Sequence, residues 1–95
     1  MNKEPRIVWM DTPVSYGADI TIGTGLFSRF QAVCSIPGEE PVSVRTYTLI
    51  RDSWEPNGIL QHNVRVSSRA EFREIVTKFA TFIATPDAPW PFPQQ

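Results

Sequence analysis

Residues 68–84, SRAEFREIVTKFATFIA, decide the fold of this chain, because they combine a helix start signal with one continuous apolar stripe. Ser68 and Glu71 have the spacing of a capping box, in which the serine hydroxyl accepts a hydrogen bond from the glutamate amide. Pro86 follows the stretch and prevents the helix from continuing. Apolar residues recur at the three- and four-residue spacing of a single helix face: Phe72, Ile75, Val76, Phe79, Ala80 and Ile83. The stretch therefore predicts one amphipathic helix.

The segments before this helix are typical of β-strands. Residues 16–22 alternate between apolar and polar side chains, which is the two-residue period of a half-buried strand. Residues 42–51 (VSVRTYTLIR) are rich in β-branched and aromatic side chains. Residues 6–10 and 59–66 predict two further strands. Residues 52–58, which end in Pro-Asn-Gly, predict a loop.

Residues 26–36 fit a strand or a helix almost equally well. We favour the strand, and the helix alternative would give a β-β-α-β-β-α order. The fold class predicted is α+β: an antiparallel meander of four to five strands, one C-terminal helix packed on one face, and a tail rich in proline and aromatic residues. We expect residues 1–95 to form a single domain, with residues 1–5 flexible and the proline-rich tail, 86–95, docked.

The predicted strands carry more apolar surface than one helix can cover. In residues 42–51, one face of the strand holds Val44 and Ile50, and the other holds Tyr47 and Leu49. The tail, a barrel closure or a second copy of the chain would shelter the remaining face. We therefore predict a non-enzymatic binding or interaction module that works as a homodimer. Four apolar residues are the predicted interface anchors: Leu49, Phe82, Trp90 and Phe92.

The sheet face that the helix does not cover also carries basic and aromatic side chains that suit an anionic ligand, namely Arg29, Arg45, Tyr47 and Arg65. Arginine and tyrosine on a sheet can stack on bases and hold phosphates, but they are also enriched at protein interfaces. The net charge of −1 and the presence of only two lysines favour the interface interpretation. A binder of small anionic molecules or of single-stranded nucleic acid is the alternative, and nucleic acid is the less expected ligand.

Composition restricts the remaining classes. The chain has 95 residues and one cysteine, so it contains no internal disulfide and no cysteine-rich metal site. No run approaches the roughly 20 apolar residues of a membrane helix. We expect a cytoplasmic protein without cofactor, metal or membrane contact.

Cys34 and His62 are the only candidates for a catalytic pair. Both are predicted on the core side of their strands, where a lone cysteine is usually a small buried hydrophobe. A Cys/His enzyme is therefore only the third functional hypothesis.

The sequence Gly23-Thr24-Gly25 after a strand is weakly similar to a phosphate-binding loop. The fingerprint requires a third glycine where Ser28 stands and a helix that begins there. A turn or bulge is the better interpretation.

Overall fold

The computed structural model of the protein describes residues 4–60 and 64–92. In this part of the chain, one helix follows seven strands. The elements are β1 (Arg6–Trp9), β2 (Ser15–Thr21), β3 (Arg29–Ser35), β4 (Val42–Ser43), β5 (Arg45–Ile50), β6 (Ser53–Pro56), β7 (Arg65–Val66) and α1 (Arg69–Ala84).

Five strands form an antiparallel meander in the order β1-β2-β3-β5-β6, with β1 and β6 at its edges. Strands β4 and β7 pair with each other in a separate two-stranded sheet. The predicted α+β fold, with a five-stranded meander and one C-terminal helix, is confirmed.

The core lies between α1 and one face of the meander. Phe72 and Phe79 are fully buried on the helix. The Phe72 ring centroid lies 6.3 Å from that of Trp9 and 5.8 Å from that of Tyr16. Phe79 meets Phe30 edge-on at 6.2 Å. These contacts place the apolar stripe of α1 on β1, β2 and β3, as the helical periodicity predicts.

The helix begins as the capping signal predicts. The Glu71 amide donates to the Ser68 hydroxyl at 3.1 Å. The Glu71 carboxylate accepts a hydrogen bond from the Ser67 amide at 2.7 Å, so it reaches one residue further back than the cap itself. Both bonds satisfy amides at the helix N-terminus.

Residues 26–36 form a strand over part of their length, and the helix alternative is wrong. β3 occupies Arg29–Ser35, with Phe30, Ala32 and Cys34 buried in alternation. Leu26 precedes the strand in a turn, and its side chain is 61% exposed. The pairing of β3 with β2 and β5 selects the strand over the helix. Because the paired residues are distant in sequence, the local apolar pattern of residues 26–36 does not reveal this pairing.

The loop predicted at residues 52–58 is wrong in part, because β6 lies inside it. β5 and β6 form a hairpin that turns through Arg51 and Asp52, since Ile50 pairs with Ser53. Arg51 adopts a φ of 58°. Tight hairpins need positive φ in the turn and usually use glycine or asparagine there, so an arginine at this position does not predict a tight hairpin.

The predicted strand at 42–51 is divided into β4 and β5 at Val44, whose amide donates to the Val64 carbonyl at 3.2 Å. Within the described residues of the predicted strand at 59–66, β7 occupies Arg65–Val66 and pairs with β4. Its inward residues Leu60, Val64 and Val66 are buried. His62, predicted on the same side, lies outside the described residues.

The described part of the proline-rich tail, residues 86–92, packs against α1. The Trp90 ring meets Phe82 at 5.4 Å and Phe92 at 5.2 Å, both edge-on. Phe92 is 5% exposed and belongs to the core. The tail therefore shelters the helix side of the molecule. Among the described residues, no helix has the length and apolar character needed to cross a membrane.

Candidate functional site

The face of the meander that points away from α1 has no covering element among residues 4–60 and 64–92. We call it the open face. The strand register places across it the side chains that alternate with the buried ones: Arg6, Val8, Asp19, Thr21, Arg29, Gln31, Val33, Arg45, Tyr47, Leu49 and Trp54. Val8 is 52% exposed. The open face is thus a mixed surface, with arginines among half-exposed apolar and aromatic groups.

A groove forms where the sheet divides. The last pair between β3 and β5 is Val33 with Arg45. Just before Arg45, the chain belongs to β4, and Ser43 pairs with Arg65 of β7 instead of with β3. The space left between the end of β3 and the β4–β7 ribbon is a groove of about 480 Å³. Its volume falls within the usual range for small-molecule sites, roughly 300–1,000 Å³.

Most of the described residues that line the groove carry hydrogen-bond donors, and none of them carries a carboxylate or an imidazole. A guanidinium presents a planar fork of donors that matches phosphate or carboxylate oxygens, and hydroxyls add further donors. The lining consists of Ser15, Val33, Cys34, Ser35, Pro41, Val42, Ser43, Arg45, Tyr47 and Arg65. Such a set of groups can bind an anion.

The electrostatic environment of the arginines differs between the two sides of the molecule. On the helix side, Arg69 and Arg73 lie 3.1 and 3.6 Å from Asp11, and Lys78 lies 3.2 Å from Glu74. In the described part of the chain, neither Arg45 nor Arg65 has an acidic group within ion-pair distance. The groove guanidiniums therefore keep their charge available for a ligand.

Three of the four predicted ligand-binding residues, Arg45, Tyr47 and Arg65, line this one groove. The fourth, Arg29, lies elsewhere on the open face, with its guanidinium 5.9 Å from the centroid of the Trp54 ring. That these residues bind a ligand stays a prediction.

Sequence reasoning missed the three groove serines and Trp54. The serines come together only because β4 leaves the main sheet, which no local pattern indicates. Trp54 lies in the segment predicted as a loop, and only the β5–β6 register places it on the open face.

The structure does not bring the four predicted interface anchors together. Leu49 lies on the open face, opposite Trp54 in the register. Phe82 and Trp90 pack together on the other side of the molecule, and Phe92 is buried there. Phe82 also lines an apolar groove of about 310 Å³ between α1 and the tail.

Cys34 is buried, with 5% of its surface exposed, and is one of the residues that line the groove. Burial raises the pKa of its thiol from 9.0 to about 11, with a further rise from the Asp11 charge and an opposing effect from a backbone hydrogen bond to Tyr16. A cysteine nucleophile reacts as the thiolate, so this thiol is poorly suited to the catalytic hypothesis.

The raised pKa predicts a specific loss of stability in alkali. The folded state holds the Cys34 proton more tightly than the unfolded state, so this stabilisation is complete below pH 9 and is lost as the pH rises through 11. Two pKa units correspond to at most about 3 kcal/mol. Urea unfolding at pH 8 and pH 11 should show that wild type loses more stability than Cys34→Ala. Equal losses would contradict the buried environment of the thiol.

The Gly23-Thr24-Gly25 segment forms the β2–β3 turn. The Ser28 hydroxyl donates to the Gly25 carbonyl at 2.6 Å, and strand β3 follows rather than a helix. Gly25 has a φ of 101°, which an L-residue seldom adopts. The turn interpretation is confirmed by this geometry.

No cluster of three or more potential metal ligands occurs within residues 4–60 and 64–92. Comparison with known protein families, with curated proteins and with solved structures finds no match to this chain.

Proposed function

We propose that this protein is a non-enzymatic binding module that holds an anionic group, a phosphate or a carboxylate, in the groove between β3 and the β4–β7 ribbon. The observation that carries the proposal is the convergence of Arg45 and Arg65 on one groove, with no acidic partner for either among the described residues. An anion would supply the missing counter-charge.

The surrounding groups support the same ligand chemistry. Ser15, Ser35 and Ser43 contribute hydroxyls that donate to oxygen atoms. Tyr47 adds a half-buried ring beside the charges, which suits a ligand with a planar organic part. The described lining contains no carboxylate, imidazole or lysine amine, which are the commonest general acids and bases, so it favours binding over acid–base catalysis.

Removal of either groove arginine should weaken anion binding by about tenfold or more, because a hydrogen bond to a charged group contributes roughly 1.5–3 kcal/mol. The variants Arg45→Gln and Arg65→Gln keep much of the side-chain length. Binding of inorganic phosphate is measured by NMR titration, and the affected amides should surround Ser15 and Ser43. Lys78→Gln, on the exposed side of α1, is the matched control and should bind like wild type.

Two results would contradict the proposal. One is the absence of saturable phosphate and citrate binding by a folded wild-type protein. The other is unchanged affinity in the Arg45→Gln, Arg65→Gln double variant.

The homodimer is the second candidate function. It is favoured by the half-exposed apolar groups of the open face and by the apolar groove beside Phe82, although these lie on different sides of the molecule. A specific dimer would bury about 800 Å² per subunit. Analytical ultracentrifugation at micromolar concentration tests it, and a single monomeric species would remove it.

A further inference from the structure

We propose that the anion held in the groove is part of a single-stranded nucleic acid, which runs from the groove across the open face to Trp54 and Arg29. This inference rests on the proposed function and extends it to a ligand class. It uses two features outside the groove: a second aromatic platform and a segregation of positive charge.

The two aromatic residues of the open face are diagonal neighbours. Tyr47 pairs with Pro56, and Leu49, two residues further along β5, pairs with Trp54. Diagonal neighbours on one face of an antiparallel pair are separated by about 7–8 Å. Tyr47 and Trp54 therefore offer two rings within reach of two unstacked bases of an extended strand. Sheet-based binders of single-stranded RNA stack successive bases on aromatic residues in this way.

Each ring has an arginine nearby. Arg45 and Arg65 line the groove with Tyr47, and the Arg29 guanidinium lies 5.9 Å from the Trp54 ring centroid. A guanidinium can bind a backbone phosphate and can also stack on a base. The repeated pairing of a ring with a positive charge matches the alternation of base and phosphate in a nucleic acid strand.

The charge of the open face differs from that of the whole chain. The chain carries a net charge of −1. Four arginines, Arg6, Arg29, Arg45 and Arg65, lie on the open face or its groove, against one strand carboxylate, Asp19. Asp19 accepts a hydrogen bond from the Gln31 amide group at 3.1 Å. The net charge of the whole chain is therefore a poor guide to whether this surface binds nucleic acid, because phosphate binding depends on the local cluster of positive charge.

The test is fluorescence anisotropy with labelled eight-nucleotide strands, rU8 and dT8, compared with UMP and with inorganic polyphosphate. We expect the octanucleotides to bind more tightly than UMP. The slope of log affinity against log salt should lie between about −2 and −3, since each phosphate contact on a single strand contributes about −0.7. Trp54→Ala and Arg29→Gln should each weaken octanucleotide binding at least fivefold, which corresponds to about 1 kcal/mol of stacking, and should leave UMP binding unchanged.

The controls separate this inference from the proposed function. Lys78→Gln removes one positive charge from the helix side and should bind octanucleotides like wild type.

If Trp54→Ala and Arg29→Gln bind octanucleotides like wild type while Arg45→Gln binds weakly, the ligand is confined to the groove, and only the extended path is overturned. If polyphosphate binds as tightly as rU8, base stacking is rejected. If phosphate, citrate and all of the nucleotides fail to bind, both proposals fail. Arg29→Gln keeps the test decisive even if Trp54→Ala does not fold.

Discussion

Replacement of Phe72 with alanine should lower the free energy of unfolding by about 3–5 kcal/mol, the usual loss for a buried phenylalanine. Phe72 is 0% exposed and contacts the rings of Trp9 and Tyr16, so it joins α1 to both β1 and β2. A domain of this size has a stability of roughly 5–15 kcal/mol. The variant should therefore lose a large share of its stability. Urea unfolding followed by circular dichroism measures the change.

Phe27→Ala is the matched control for this substitution. Phe27 is 56% exposed in the β2–β3 turn and has a φ of 59°. Alanine meets the same left-handed backbone penalty, so the stability should change by no more than about 0.5 kcal/mol. A loss at Phe72 as small as the loss at Phe27 would show that α1 does not pack on the sheet through this residue.

The helix was the most predictable element because its signals are local. Ser68, Glu71 and the apolar stripe lie within five turns of chain, and each signal indicates the same structure. The buried alternation of Thr46 and Thr48 in β5 was also predictable from period two. The β5–β6 hairpin was not, because its turn places Arg51, which has no preference for positive φ, at the left-handed position, and because its register depends on pairing.

The candidate site was predictable only in part, for a similar reason. Alternation placed Arg45 and Tyr47 on one face of their strand, which is a local property. The groove itself depends on the exchange of pairing partners at Val44, where the chain leaves β7 and joins β3. A strand can change its pairing partner without any change in the alternation of its side chains. The sequence therefore predicts which residues share a face, but it does not predict the groove that forms between them.

The tail should prove to be part of the folded domain, because its last described residue completes the core. Phe92 is 5% exposed, and Trp90 packs between it and Phe82. Pro86, Pro89 and Pro91 restrict the tail before it docks, which lowers the conformational entropy lost on folding. This explains how a short segment without regular secondary structure stays packed against α1.

Phe92→Ala should therefore reduce the free energy of unfolding by about 3 kcal/mol, near the lower end of the range for a buried phenylalanine, because a terminal segment can also undock by itself. Undocking should expose Trp90, so the fluorescence emission should shift to the red before the cooperative unfolding transition. The same shift should be absent when Trp90 is already replaced by phenylalanine, which isolates its signal from those of Trp9 and Trp54. A Phe92→Ala variant as stable as wild type would mean that the tail does not stabilise the core, and that other residues cover the core at this position.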